Sequence, residues 1–238
     1  MPEPTEHSEA GHPIYRYGER TVPRDIAHGD DAIIEAIGAH IEEYLGEPAG
    51  VYHELVSDLV HIDVHVVAPG PGRPFHTLVT SGMSSAPMIG HGEDGPFQSY
   101  AELCCLLPPD WKLEQKDFKD FANYFPIHWL KFLARFPHEY DTWLSFGHTI
   151  PNGDPAEPVG PNVDFIGWIL LPPIRLPEAF HTLELDANRS VDIFAIVPLH
   201  ADEMDFKLKH GTEALLDLFD EHGVTELIDP KRPSVVDS

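Results

Sequence analysis

Residues 60–80, "VHIDVHVVAPGPGRPFHTLVT", settle the fold class. In "VHIDVHVV" a period of two sets His61, Asp63 and His65 on one side and Ile62, Val64 and Val66 on the other, the pattern of a strand buried on one face. "PGPGRP" (69–74) is a turn or short loop, and "FHTLVT" (75–80) follows as another strand. Strands that come in runs like this one, with helices at both ends and in the middle of the chain, make an α+β pattern and not a regular βαβ alternation.

On the N-terminal side, "VYHELVS" (51–57) reads as a further strand and "GDDAIIEAIGAHIEEYLGEP" (29–48) as a helix. Asp30 or Asp31 caps its start. Ile33, Ile34, Ile37, Ile41, Tyr44 and Leu45 make one apolar stripe, and Gly46 and Pro48 end it. Residues 1–28 are polar and proline-punctuated, and are expected to be a flexible arm.

On the C-terminal side, "IGHGEDGPFQ" (89–98) reads as a Gly-rich acidic loop and "YAELCCLLP" (100–108) as a buried strand. "FPIHWLKFLARFPHEY" (125–140) is a helix with Pro126 near its first turn and Ile127, Leu130, Leu133 and Phe136 on one side. "TWLSFGHTIPNG" reads as a strand leading into a turn and "VDFIGWILLPP" as a strand; "FHTLEL" and "VDIFAIVPL" flank "DANRS" as a hairpin. "ADEMDFKLKHGTEALLDLFDEHG" (201–223) reads as one helix with Gly211 a weak point and Gly223 a stop, and 229–238 as a frayed tail. The expected fold is α+β: a single domain over 29–228 with a largely antiparallel or mixed sheet flanked by helices.

Forty Asp plus Glu against fifteen Lys plus Arg leave a formal charge of −25. Nucleic acid and anionic membrane surfaces would repel such a chain, whereas a basic partner would be steered toward it; solubility or life at high salt accounts for the charge equally well. The two cysteines, Cys104 and Cys105, are adjacent, point to opposite faces of their strand and form no disulfide framework. The opening "MPEPTEHSEAGHP" lacks the basic and apolar regions of a signal peptide and no apolar run has the length of a membrane span, so a soluble, cytoplasmic protein is expected.

Three chemistries compete. His61, Asp63 and His65 on one strand face can grip a divalent cation, or form an ordinary wet strand face. "HTLVTSGMSSAPM" (76–88) offers Ser81 and Ser84 as nucleophiles, but lacks the G-x-S-x-G spacing and the following helix of a nucleophile elbow. A turn in which Gly82 relaxes the backbone and the hydroxyls satisfy local N–H groups serves equally. "GHGEDGP" repels phosphate through Glu93 and Asp94, and no cofactor-binding motif is present. The third is binding: an antiparallel sheet has edges, and an edge can accept an added strand from a partner peptide.

Five strings, "HIDVHVVAP", "PFHTLVTSGMSSAPM", "AELCCLLPPDW", "PIHWLKFLARFPHEYDTWLSFGHTIPN" and "VPLHADEMDFKLKHG", resemble in that order the suppressor-of-fused-like domain family, over about residues 50–212. The resemblance implies a non-enzymatic α+β domain that binds other proteins. Animal members hold a transcription factor through a peptide taken up as an added strand, aided by a second domain for which this chain is expected to have no room. The resemblance to compact bacterial members implies an immunity protein neutralising a toxin, and the acidic surface suits a basic one. Partner contacts are then expected at Met83 and Ser84 in an exposed serine turn, at Glu93 and Asp94 in the acidic loop, and at His148 and Asn152 in "GHTIPN". The alternative is a metal-dependent enzyme using His61, Asp63 and His65.

Overall fold

The computed structural model describes residues 4–18, 30–54, 59–92 and 95–236. Along the chain run β1 (Glu6–His7), β2 (Pro13–Ile14), α1 (Asp31–Leu45), β3 (Gly50–Tyr52), β4 (Asp63–Val67) and β5 (His76–Ser81). β6 (Met88–Gly92), β7 (Gly95–Leu107), α2 (Phe121–Tyr140), β8 (Thr149–Pro151) and β9 (Gly167–Leu171) follow. β10 (Thr182–Asp186), β11 (Arg189–Leu199), α3 (Ala201–His210) and α4 (Thr212–His222) complete the order. The main sheet has the order β3-β4-β5-β7-β11-β9-β8, with β6 paired to β7 and β10 to β11. Among the named strands of the described residues the pairings are antiparallel except β7 with β11, whose parallel register sets Val191 against Tyr100 and Ala195 against Cys104. The sheet is therefore mixed and the architecture a single α+β domain.

The sheet is covered on both faces, which makes three layers. Val64, Val66, Leu78, Leu103, Cys105 and Leu170 pack with Phe125, Leu130 and Leu133 of α2. The opposite face takes α1 through Ile33, Ile37 and Ile41 against Val79, Cys104, Leu106 and Ile193. Further along the chain, Val197 and Leu199 of β11 pack with Leu215 and Phe219 of α4. Cys104 and Cys105 thus enter different cores, as strand alternation requires.

α1 is 15 residues long, too short to be stable alone in water. Asp30 caps it, accepting from the amides of Ala32 and Ile33. Burying each isoleucine contributes about 1.5–3 kcal/mol, so packing outweighs the cap.

Five elements differ from the sequence reading. Of "TWLSFGHTIPNG" only Thr149–Pro151 is a strand (β8), while 142–148 form a loop. α2 starts at Phe121 because Asp120 accepts from the Ala122 amide, which moves Pro126 into the second turn. The stretch 201–223 is two helices: Gly211, at φ 92° and ψ 170°, closes α3 and opens α4. The Gly-rich segment 89–98 is not a loop but an antiparallel hairpin of β6 and β7, in which Gly90 lies opposite Phe97. Of the strand expected over 51–57, β3 is only Gly50–Tyr52, and 55–58 lie outside the described residues.

Both chain ends carry tertiary contacts. β1 and β2 pair with each other, and the Ala10 amide donates to the Leu208 carbonyl. Residues 229–236, read as a frayed tail, pack on α3: Arg232 Nη2 reaches Glu203 Oε2 at 2.8 Å, and Val235 is buried. No helix among the described residues is long and apolar enough to cross a membrane.

The tightest backbone approach is at Gly82, which ends β5 at φ 113° and has the His61 carbonyl oxygen 1.9 Å from where a Cβ would sit. Gly82→Ala is expected to destabilise the fold by at least ~2 kcal/mol, read from the urea midpoint at unchanged slope. A midpoint within experimental error of the parent would contradict this packing.

Candidate functional site

The serine turn is held from below by one carboxylate. Glu102 on β7 is fully buried. Its Oε1 accepts from the amides of Gly82 (3.0 Å) and Ser84 (2.9 Å) and from Ser84 Oγ (2.6 Å). Thr80 Oγ1 donates to Oε2 at 2.6 Å while accepting from the Leu103 amide at 2.8 Å. Burial pushes the Glu102 carboxyl upward in pKa, and the bonds from Ser84 and Thr80 pull it back. His138 on α2 ties the same turn to the helix, its Nε2 lying 2.8 Å from the Met83 carbonyl.

This geometry overturns the expectation that Met83 and Ser84 are exposed. Both are fully buried, because the carboxylate draws the turn inward and Met83 fills the core against α2. A partner cannot touch either without unfolding the turn. The second serine, Ser81, meets His65 Nε2 at 2.9 Å. That pair lacks two parts of a nucleophilic triad: Ser81 is buried at 1% exposure, and His65 Nδ1 has no acceptor to orient the ring.

His61, Asp63 and His65 are likewise committed elsewhere. Asp63 Oδ2 lies 2.8 Å from His53 Nδ1. Asp63 Oδ1 lies 3.0 Å from His61 Nε2 and accepts from the Glu54 amide at 3.1 Å. His65 turns to Ser81 instead, and burial lowers its pKa. Among the described residues no group of three or more His, Cys, Asp or Glu is arranged to hold a metal ion.

Beside this network a shallow depression of about 420 Å³ is lined by His53, Glu54, Tyr124, His128, Lys131 and Arg135 together with Phe132. Glu54 receives Arg135 Nη2 on one oxygen and the Ile62 amide, at 3.2 Å, on the other. Lys131 Nζ donates to the Tyr52 carbonyl at 3.1 Å, tying α2 to the sheet-edge strand β3. Burial lowers the Lys131 and His128 pKa values, and Asp63 partly restores that of Lys131.

The outward side of α2 is a ladder of rings. Phe121 meets His128 at 5.4 Å, His128 stacks on Phe132 at 6.5 Å, and Phe132, Phe136 and Tyr140 continue at 6.3 and 4.8 Å. Beyond the C-terminal end of α2 stands Trp143, edge-on to Phe97 of the β6–β7 hairpin at 6.1 Å and to His148 at 5.4 Å. Phe97 is 41% exposed, so the aromatic surface reaches solvent. Tyr15 and Tyr17 of the N-terminal arm lie on it.

The expected contact residues therefore scatter. His148 joins the aromatic surface, half-buried, and its pKa is lowered to about 4 by burial, with Lys207 adding to the shift. Asn152 closes its own loop, Nδ2 donating to the Pro158 carbonyl at 2.9 Å. Glu93 and Asp94 lie outside the described residues. Missed by the sequence reading were Glu102, His53, Glu54, Lys131 and Arg135. A lone carboxylate inside the apolar run "AELCCLL" was the one available signal for Glu102, since a buried charge needs partners. The ladder was legible as ring recurrence four and seven residues apart.

A sequence model of the suppressor of fused protein (SUFU) family matches residues 58–233. No curated protein matches the chain. Among solved structures it is similar to a suppressor of fused homologue from Neisseria gonorrhoeae at 20% identity and a TM-score of 0.62, covering 86% of this chain and 97% of that one. It is also similar to a chain of a Sufu–Fu complex, at 15% identity and a TM-score of 0.57, covering 91% and 94%. Similarity to Drosophila Suppressor of Fused gives 15% identity and a TM-score of 0.58, over 90% of this chain and 52% of that protein, so the chain spans about half its length.

The lowered pKa of His148 carries a sign. Unfolded, the imidazole takes a proton near its ordinary 6.5; folded, only near 4. Between those values the unfolded state binds the extra proton, so the folded state loses stability as pH falls from about 6.5 to about 4. Replacing His148 by Gln is expected to make the urea midpoint fall less steeply over that window, with His65, His76 and His128 still contributing in the same direction. Identical slopes for the two proteins would disprove the assignment.

Proposed function

The chain belongs to the suppressor of fused family, and from that premise we propose that it is a non-enzymatic protein-binding domain that sequesters a basic protein partner. The observation carrying the reading is the charge, forty acidic residues against fifteen basic, on a fold whose solved relatives include a chain from a Sufu–Fu complex. A surface so acidic accelerates encounter with a cationic protein and repels nucleic acid. The residues first considered for catalysis support the same reading: Ser84 is spent on Glu102, Ser81 is buried, and Asp63 is divided between two histidines.

The finer reading is an immunity protein acting in the cytoplasm on a basic toxin such as a nuclease. An inhibitor of that kind gains from long-range attraction, because it must meet the toxin before the substrate does. Native capture from the source organism at low and at high salt tests it. A basic protein should be recovered at low ionic strength and largely lost near 1 M salt, where the screening length falls to about 3 Å. Recovery of acidic proteins only, or binding indifferent to salt, would rule out the charge-steered partner.

A further inference from the structure

The described part of the N-terminal arm, residues 4–18, lays two rings on the aromatic surface at the end of α2. Tyr15 lies edge-on to Trp143 at 5.7 Å, and Tyr17 contacts Phe136 at 5.2 Å and Tyr140 at 5.1 Å. The two tyrosine rings are 6.5 Å apart and within 23° of parallel. Residues two apart that deliver rings to one surface require an extended backbone between them. Arg16 pairs with Glu6 and with Asp154, whose side chain is 74% exposed. One side-chain hydrogen bond, Tyr17 hydroxyl to Thr142 Oγ1 at 2.8 Å, adds to these contacts.

The seat and the strap are unequal. Trp143, Phe136 and Tyr140 are fixed by α2 and by Trp143's packing on Phe97 and His148. Among the described residues, Tyr15–Tyr17 are held by ring contacts, an exposed ion pair of small value to Asp154 and the Tyr17–Thr142 hydrogen bond, with the Ala10–Leu208 backbone bond further back along the arm. The aromatic surface also continues past the arm to Phe97, 41% exposed.

We propose that Tyr15-Arg16-Tyr17 is a displaceable strap, and that the surface of Trp143, Phe136 and Tyr140 beneath it docks an extended segment of a partner protein with aromatic side chains two residues apart and a cation between them. The seated arm supplies the argument for the aromatic spacing. The exposed Asp154, in a chain of charge −25, supplies the argument for the cation. The inference rests on the protein-binding reading and locates it. It makes the chain its own competitor, since a tethered segment acts at an effective concentration in the millimolar range.

The test uses the full chain and a synthetic peptide of its residues 12–18, HPIYRYG, carrying a fluorophore. The Tyr15→Ser, Tyr17→Ser variant should bind this peptide at least about tenfold more tightly than the unaltered chain, which must first release its own arm. Tyr15→Ser alone, which keeps the Tyr17 hydroxyl bond, should fall between the two, and urea unfolding reports whether each variant is folded. A peptide with both tyrosines replaced by serine should not bind. Equal binding to variant and parent, binding of the serine peptide, or no binding to either folded variant would each overturn the strap. A dimer of the unaltered chain that the double variant cannot form would also overturn it, by making a second copy the occupant. Partner capture is scored on the unaltered chain, so failure of the peptide leaves the protein-binding reading to its own test.

Discussion

A single carboxylate, Glu102, governs how the middle of this protein is arranged. Placed inside β7 with no solvent contact, it is tolerable only because four donors from Thr80, Gly82 and Ser84 converge on it. Those donors lie where β5 must stop and the chain must turn. Gly82, at a positive φ, makes the turn without a Cβ colliding with the His61 carbonyl. Once the turn is made, Met83 drops into the core and β6 departs along the first half of β7. The hairpin then brings Phe97 to Trp143, so the aromatic surface at the end of α2 is set from a bond network buried below it.

Local signals in the sequence were sufficient wherever one face of an element met one core. The stripe of α1, the alternation of β4 and the opposite placement of Cys104 and Cys105 all follow from period alone. They failed where two local rules competed. Glycines between Ile89 and Gln98 suggested a loop, yet Gly90 is the strand position over which the Phe97 ring lies. The apolar period running through 201–223 concealed a break, because His200 and Glu203 cap α3 independently and Gly211 takes a backbone conformation that no helix continues. The chemistry was less legible for a different reason. Glu54 with Arg135, Glu102 with Ser84, and Tyr17 with Tyr140 are separated by 81, 18 and 123 positions, and only the tertiary fold gives them a common address.

The surface proposed for binding is correspondingly composite. Acidity is spread over the whole chain and acts at long range, whereas the rings of α2 and Trp143 act only on contact. On the proposed reading, a partner attracted by the first would still have to satisfy the second, because charge alone would not distinguish one basic protein from another. The Glu54–Arg135 pair ties α2 to the segment after the sheet-edge strand, where His53 also meets Asp63. The contribution of these contacts is shape.

The parallel pairing of β7 with β11 has a kinetic consequence. Strands running the same way cannot be joined by a hairpin, and here α2, β8, β9 and β10 intervene between residues 107 and 189. During synthesis β7 emerges with β5 and β6 already available, but with the flank that β11 will occupy bare. A long apolar strand with an open edge invites pairing with other chains, and closure across so many residues is slow. Mature stability therefore depends on a contact made late, and a net charge of −25 sets unfinished copies repelling one another while that contact is still missing.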